Sequence, residues 1–127
     1  MTSASQARPS TRHRTPSRRI GIAMMAEAAT FAVASAIHFG TGFTQAAIPE
    51  LVIAAVLAAG SAAVLTRRAH AWGAAVGAVA FATFGTMVGL AIIASGRQDV
   101  PDLVYHASIL TALVITLAGL ARTRRGW

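Results

Sequence analysis

The chain contains no cysteine and no lysine, and its 127 residues include only four acids. Without cysteine there is no disulfide, thiolate metal site, iron–sulfur ligation or covalent c-type haem attachment, so any metal would rest on His, Asp or Glu. Charged residues make up 12% of the sequence against 55% apolar ones, roughly half the charged share of a soluble domain of about 25%. A chain this apolar suits lipid as its solvent. One bundle of helices uses nearly all of it, which leaves no room for a separate catalytic domain. The net charge of +7 comes from arginine alone. Such a balance suits nucleic acid or an anionic surface. Because these arginines flank apolar stretches, anionic lipid headgroups are the expected partner and nucleic acid is not.

Ten of the eleven arginines lie on one side of four apolar stretches: Arg8, Arg12, Arg14, Arg18 and Arg19 before the first, Arg67 and Arg68 between the second and third, Arg122, Arg124 and Arg125 after the fourth. Only Arg97 falls on the other side. Short loops rich in arginine stay cytoplasmic, so both termini are expected in the cytoplasm of a multi-pass protein of the bacterial inner membrane. The stretches 20–39, 48–65, 71–94 and 100–121 are each long enough, at about 1.5 Å per residue, for a hydrocarbon core of about 30 Å. The expected fold is an all-α membrane protein, one four-helix transmembrane bundle over residues 20–121, with a basic cytoplasmic end at 122–127.

Residues 1–19 carry Ser, Thr, Pro and Arg without apolar periodicity and read as a disordered cytoplasmic tail. A rival reading takes Ser17-Arg18-Arg19 as a twin-arginine export signal, with Ile20 to Val33 as its apolar region and Ala34-Ser35-Ala36 as the cleavage site. Glu27, in the middle of that apolar region, speaks against it.

The two halves resemble one another at a shift of 52 positions, which lays Pro49-Glu50-Leu51-Val52 on Pro101-Asp102-Leu103-Val104 and Gly21, Ala23, Ala26 and Ala28 on Gly73, Ala75, Ala78 and Ala80. A duplicated helical hairpin is the implied origin, with both copies in the same orientation. Pro presets the first helical turn and an acid beside it meets the positive end of the helix dipole, so Glu50 and Asp102 read first as helix starts. In the third span Gly73, Gly77, Phe81, Gly85 and Gly89 recur every four residues, a small-residue stripe suited to close helix packing within the bundle, in a homo-oligomer or against a larger membrane complex. Ser108, Ala112 and Thr116 repeat the pattern weakly in the fourth span.

Polar residues inside spans are expensive and therefore informative. Glu27 stands about 10 Å into the core at 1.5 Å per residue, where an ionised carboxylate costs about 2.5 to 3.5 kcal/mol on insertion scales. It is expected to be neutral, hydrogen-bonded to a neighbouring helix, or facing a hydrated seam. His38 is on the same face but roughly 16 Å away along the helix. In the fourth span Asp102 and His106 stack one turn apart, with Tyr105 beside them, and a carboxylate so placed orients an imidazole. His38, Glu50, Asp102, Tyr105 and His106 thus gather at the outward end as a candidate polar or ligand-binding site. Its histidines and carboxylates suit a divalent metal, and the two histidines suit a b-type haem, although no close-spaced ligand motif supports either. His13 and His70 fall among the arginines and read as solvated or headgroup-facing.

The run Ala36-Ile37-His38-Phe39 closing a first span that holds a Glu, followed by Pro49-Glu50 and by Pro101-Asp102-Leu103-Val104-Tyr105-His106, resembles small four-span integral membrane proteins of Ala- and Arg-rich bacterial proteomes. More distantly it resembles the DoxX-like group in size and span count. Neither resemblance brings an activity with it. Small multidrug resistance transporters also have four spans and a first-span Glu. Here the charge asymmetry fixes one orientation, and the only tryptophans, Trp72 and Trp127, sit at cytoplasmic span ends rather than around Glu27. The sequence therefore points to a non-enzymatic accessory or binding subunit with an outward His/carboxylate site and no cofactor by default. A haem- or metal-binding redox component and a proton-coupled transporter using Glu27 stand as alternatives.

Overall fold

The computed structural model describes residues 15–96, 100–124 and 127; the tail up to residue 14, Arg97 and Arg125 lie outside it. Four helices follow one another: α1 (Thr15–Gly40), α2 (Thr44–Leu65), α3 (Ala71–Ser95) and α4 (Val100–Thr123). All four are long and apolar enough to cross a membrane. They form an up-and-down bundle in which α1 packs on α2, α2 on α3 and α3 on α4, while α1 and α4 meet more sparsely. Gly21 lies against Leu65 and Val64, and the Trp72 indole donates to the Leu120 carbonyl, so Arg18, Arg19, Arg67, Arg68, Arg122 and Arg124 share one end of the bundle.

Two boundaries differ from the sequence reading, each for a local reason. The helix α1 begins at Thr15, so residues 15–19 are helical rather than part of the tail. Pro16 fits a first turn, where its missing N–H has no acceptor to lose, and Arg is a good helix former. Likewise α2 begins at Thr44, which puts Pro49 and Glu50 in its second turn. Pro49 therefore removes only the bond to the Gln45 carbonyl near the helix start. Glu50 is not a helix-initiating acid, whereas Asp102 does occupy the first turn of α4. The two Pro-acid-Leu-Val runs thus serve different positions, and the halves are not equivalent in packing either: Gly21 is closely covered, while its counterpart Gly73 has no neighbouring atom within 4 Å of an added Cβ.

The core runs the length of the bundle through Met24, Phe31, Leu57, Val79, Leu113 and Leu120, all buried. Ile22, Val33, Ile37, Phe84, Ile92 and Ile115 point outward, as side chains do when hydrocarbon rather than water surrounds them. Helices in that solvent gain little from hiding apolar groups and associate where backbones approach. Here the approach is made by Gly60, where an added Cβ would stand 2.7 Å from Ala78 and 2.9 Å from Met24, and by Gly21, at 2.8 Å from Leu65. The expected glycine stripe of α3 divides. A Cβ added at Gly85 would stand 2.8 Å from Ile53 and one at Gly89 3.1 Å from His106, but Gly73 and Gly77 face open space. Four-residue spacing drifts by about 40° per step around a helix of 3.6 residues per turn, so a row of five positions turns away from any one neighbour.

Candidate functional site

The α1–α2 turn sets the first half of the site. Gly42 takes φ +79°, a conformation that suits a residue without Cβ. Its N–H is accepted by the Phe39 carbonyl and that of Phe43 by the His38 carbonyl, the paired bonds of a Schellman turn. The contact that usually accompanies such a turn joins the residues at its two ends, and here it is an edge-to-face meeting of the His38 and Phe43 rings at 5.7 Å. The turn thereby orients the imidazole. On its other side His38 Nδ1 stands 2.7 Å from Glu50 Oε2, joining α1 to α2. Because α2 starts at Thr44, Glu50 falls in its second turn, where it is buried.

The second half is built within α4. His106 Nδ1 faces both the Asp102 carbonyl at 2.9 Å and Asp102 Oδ1 at 3.0 Å, the one-turn stack the spacing implies. An Nδ1–H donated to these oxygens leaves Nε2 as the second ring nitrogen. That atom lies on the side of Gly89 of α3, where an added Cβ would stand 3.1 Å from it. Tyr105 turns the other way: its ring meets Phe31 of α1 and His106 edge to face, at 6.3 Å and 5.2 Å.

The five residues named from the sequence therefore lie together at the end opposite the arginines, as two His–acid pairs with Tyr105 beside them. His38, Asp102 and Tyr105 line one cleft, which sets the two pairs side by side. Among the described residues, however, no three of the His, Asp and Glu side chains come into reach of one metal ion. Each histidine spends Nδ1 on its own acid, and His106 presents Nε2 to a helix backbone. The two pairs as they stand do not form one ready-made ligand set for the divalent metal that the sequence left as an alternative.

A cleft of about 690 Å³ opens where α1 and α4 part. Ala29, Val33, Ala34 and Ile37 make its apolar wall, and His38, Asp102 and Tyr105 its polar end. Two oxygens beside this region are buried with no hydrogen-bond partner: the Tyr105 hydroxyl and Glu50 Oε1. Deeper along the same seam, Glu27 is buried and accepts a 2.6 Å bond from the Thr116 hydroxyl of α4 at Oε1, while Oε2 has no partner. Thr30 donates back to the Glu27 carbonyl at 2.7 Å. Phe31, one turn from Glu27 along α1, is buried with its ring against Tyr105.

Sequence reasoning named Thr116 only as a small residue in a packing row. Its pairing with Glu27, 89 positions away, needed the bundle's closure to be known. It missed the serines that tie α1 to α2, Ser35 donating to the Ala47 carbonyl at 2.8 Å and Ser61 to the Gly21 carbonyl at 2.7 Å. Buried hydroxyls at membrane depth were the available signal, since each requires an acceptor. No family model matches the chain, and no curated protein or solved structure matches it either.

Proposed function

We propose that this integral membrane protein is a non-enzymatic binding subunit whose ligand enters the α1/α4 cleft sideways from the lipid. The ligand is an elongated, mostly apolar molecule with a hydrogen-bonding head, and by the arginine distribution the head sits in the outer leaflet. The observation that carries this reading is a largely apolar cleft that ends in His38 and Asp102 and has Tyr105 in its wall, a residue whose hydroxyl is itself buried with no partner at hydrogen-bond distance. A buried hydroxyl without a partner loses free energy that a ligand's polar group would restore. Because the chain lacks cysteine, a single Val33→Cys carries one fluorophore at the cleft wall. Decyl-tailed quinone, phenol and amine probes are then titrated against the reconstituted protein. Saturable binding by at least one head group is expected, weakened about three- to tenfold by Tyr105→Phe, the worth of one hydrogen bond. No saturation by any probe, or equal binding to the variant, overturns the reading.

A second reading is favoured by Glu27, whose Oε2 is buried at membrane depth without a partner. A proton-coupled transporter would carry its proton there. Dye-loaded proteoliposomes given a pH step test it: Glu27→Gln, which imitates the protonated acid, should abolish proton flux, and an unchanged flux retires the transporter.

A further inference from the structure

At the opposite end of the molecule, away from the cleft, a second cavity of about 440 Å³ lies between the α2–α3 turn and the end of α4. Its walls carry Arg68, His70 and Arg124 together with Trp72 and Trp127. The arrangement is built from ordinary local pieces. After α2, Arg67 takes φ 55° and the amides of Arg67 and Arg68 are accepted by the Val64 and Ala63 carbonyls, a Schellman turn that ends the helix and brings Arg68 beside the start of α3. The Arg124 guanidinium lies 5.2 Å from the Trp72 ring centre, within cation–π range. Trp72 is itself fixed to α4 through Leu120, and the Trp127 indole donates to the Thr123 hydroxyl at 3.1 Å.

Among the described residues no acid pairs with this charge: the ion pairs are His38–Glu50 and His106–Asp102, both at the far end. The first turn of α3 carries no acid and no side-chain cap. The Ala71 and Ala74 amides are accepted by the Arg68 and His70 carbonyls, whereas no backbone carbonyl accepts those of Trp72 and Gly73. Two guanidiniums, an imidazole and a positive helix end converge on one cavity flanked by two indoles, the side chains that settle at headgroup level. Guanidinium forks match phosphate oxygens, and indoles match the glycerol and upper acyl region below them.

We propose that this cavity is a specific site for the phosphate of an anionic lipid, seated between Arg68 and Arg124 against the start of α3. A general attraction of basic ends to anionic surfaces would be spread over all the arginines. The cavity concentrates it on two of them, from different helices. The full chain is reconstituted in phosphatidylcholine bilayers containing a minority of phosphatidylglycerol, with brominated acyl chains on one lipid or the other, and tryptophan fluorescence is read. Stronger quenching by brominated phosphatidylglycerol than by brominated phosphatidylcholine, saturating at low mole fraction, is expected for the wild type. Arg68→Gln and Arg124→Gln should each move the half-saturating fraction up by about tenfold, while Arg18→Gln/Arg19→Gln, which removes more charge from the same end, should leave it nearly unchanged. Inorganic phosphate added to pure phosphatidylcholine bilayers distinguishes the source: a shift in emission at millimolar phosphate that blocks the lipid response would assign the site to free phosphate and overturn the lipid. Equal quenching by both lipids overturns the proposal, as does an equal shift for the Arg18/Arg19 variant. Circular dichroism of each variant confirms that it is folded, and an unfolded Arg124→Gln leaves Arg68→Gln to decide.

Discussion

One helix, α1, makes two unlike interfaces. Against α2 it approaches through glycine and serine: Gly21 under Val64 and Leu65, Ser35 bonded to the Ala47 carbonyl, Ser61 to that of Gly21. Against α4 it stands off, and the gap holds large or polar side chains: Glu27 with Thr116, Phe31 with Tyr105, and then the cleft. Lipid explains why both kinds coexist. Close backbone contact is the main source of association where apolar burial counts for little, so one tightly joined interface frees the other to carry polar groups that contribute little to holding the helices together. The α1/α2 side is where substitutions of size should be felt, and the α1/α4 side is where substitutions of chemistry should be.

The sharpest way to break this contrast is to add volume at the close approach. Gly60→Leu, on the helix that clasps α1, forces side-chain atoms into Ala78 and Met24 and should destabilise the bundle by about 1 to 3 kcal/mol, the range for overpacking. Gly77→Leu, with nothing within 4 Å, should leave a monomer's stability almost unchanged. Thermal unfolding in detergent at equal protein concentration separates the two. Equal losses would mean that Gly77 is covered by another molecule.

The Gly60 prediction also shows where sequence reading stopped. Span number, order and approximate ends follow from hydropathy and arginine placement because both reflect the bilayer directly. The gathering of His38, Glu50, Asp102, Tyr105 and His106 at the end opposite the arginines follows from counting residues along spans, and the Asp102–His106 stack from a spacing of one turn. Which glycines close a contact does not follow, since that depends on how each helix is rotated, and the four-residue repeat in α3 points to two neighbours and to open space in turn. The pairing of His38 with Glu50 likewise depends on a turn geometry at Gly42 that no periodicity encodes, and the cleft exists only because α1 and α4 diverge.

A smaller effect is expected where chemistry changes at constant size. Thr116→Val removes the hydroxyl bonded to the Glu27 carboxyl and leaves both carboxyl oxygens without a partner, a loss of about 1 to 2 kcal/mol. Thr116→Ser should restore most of it. Were Val as stable as Thr, Glu27 would be hydrated, and the seam between α1 and α4 would be a water path rather than a packed contact. Smaller again is Ser61→Ala, which breaks one serine bond of the α1/α2 interface. Hydrogen bonds between membrane helices average about 0.6 kcal/mol, so the glycine contacts should hold the pair, and a loss above that of Gly60→Leu would reverse the assignment of what joins α1 to α2.

On the α1/α4 side the smallest change in stability should come from the residue with the largest proposed role. Tyr105→Phe keeps the ring, and with it the edge contacts to Phe31 and His106, so the packing between α1 and α4 is untouched. It deletes a hydroxyl that is buried with no partner at hydrogen-bond distance, although the Thr30 side chain stands nearby. Removing a polar group that water once solvated and the protein does not replaces an uncompensated desolvation with none. The variant should therefore match or slightly exceed the wild type, by about 0.5 kcal/mol, at the low end of hydrogen-bond energies. Tyr105→Leu, which also loses both ring contacts, should be less stable than either. The same pair of variants measured with a saturating cleft ligand sharpens the comparison: the wild type should gain more from the ligand than Tyr105→Phe does, because only it has the hydroxyl to offer. A Tyr105→Phe that is clearly destabilised without ligand would show that the hydroxyl is engaged within the protein, and the α1/α4 side would then be a second structural interface rather than a site held open.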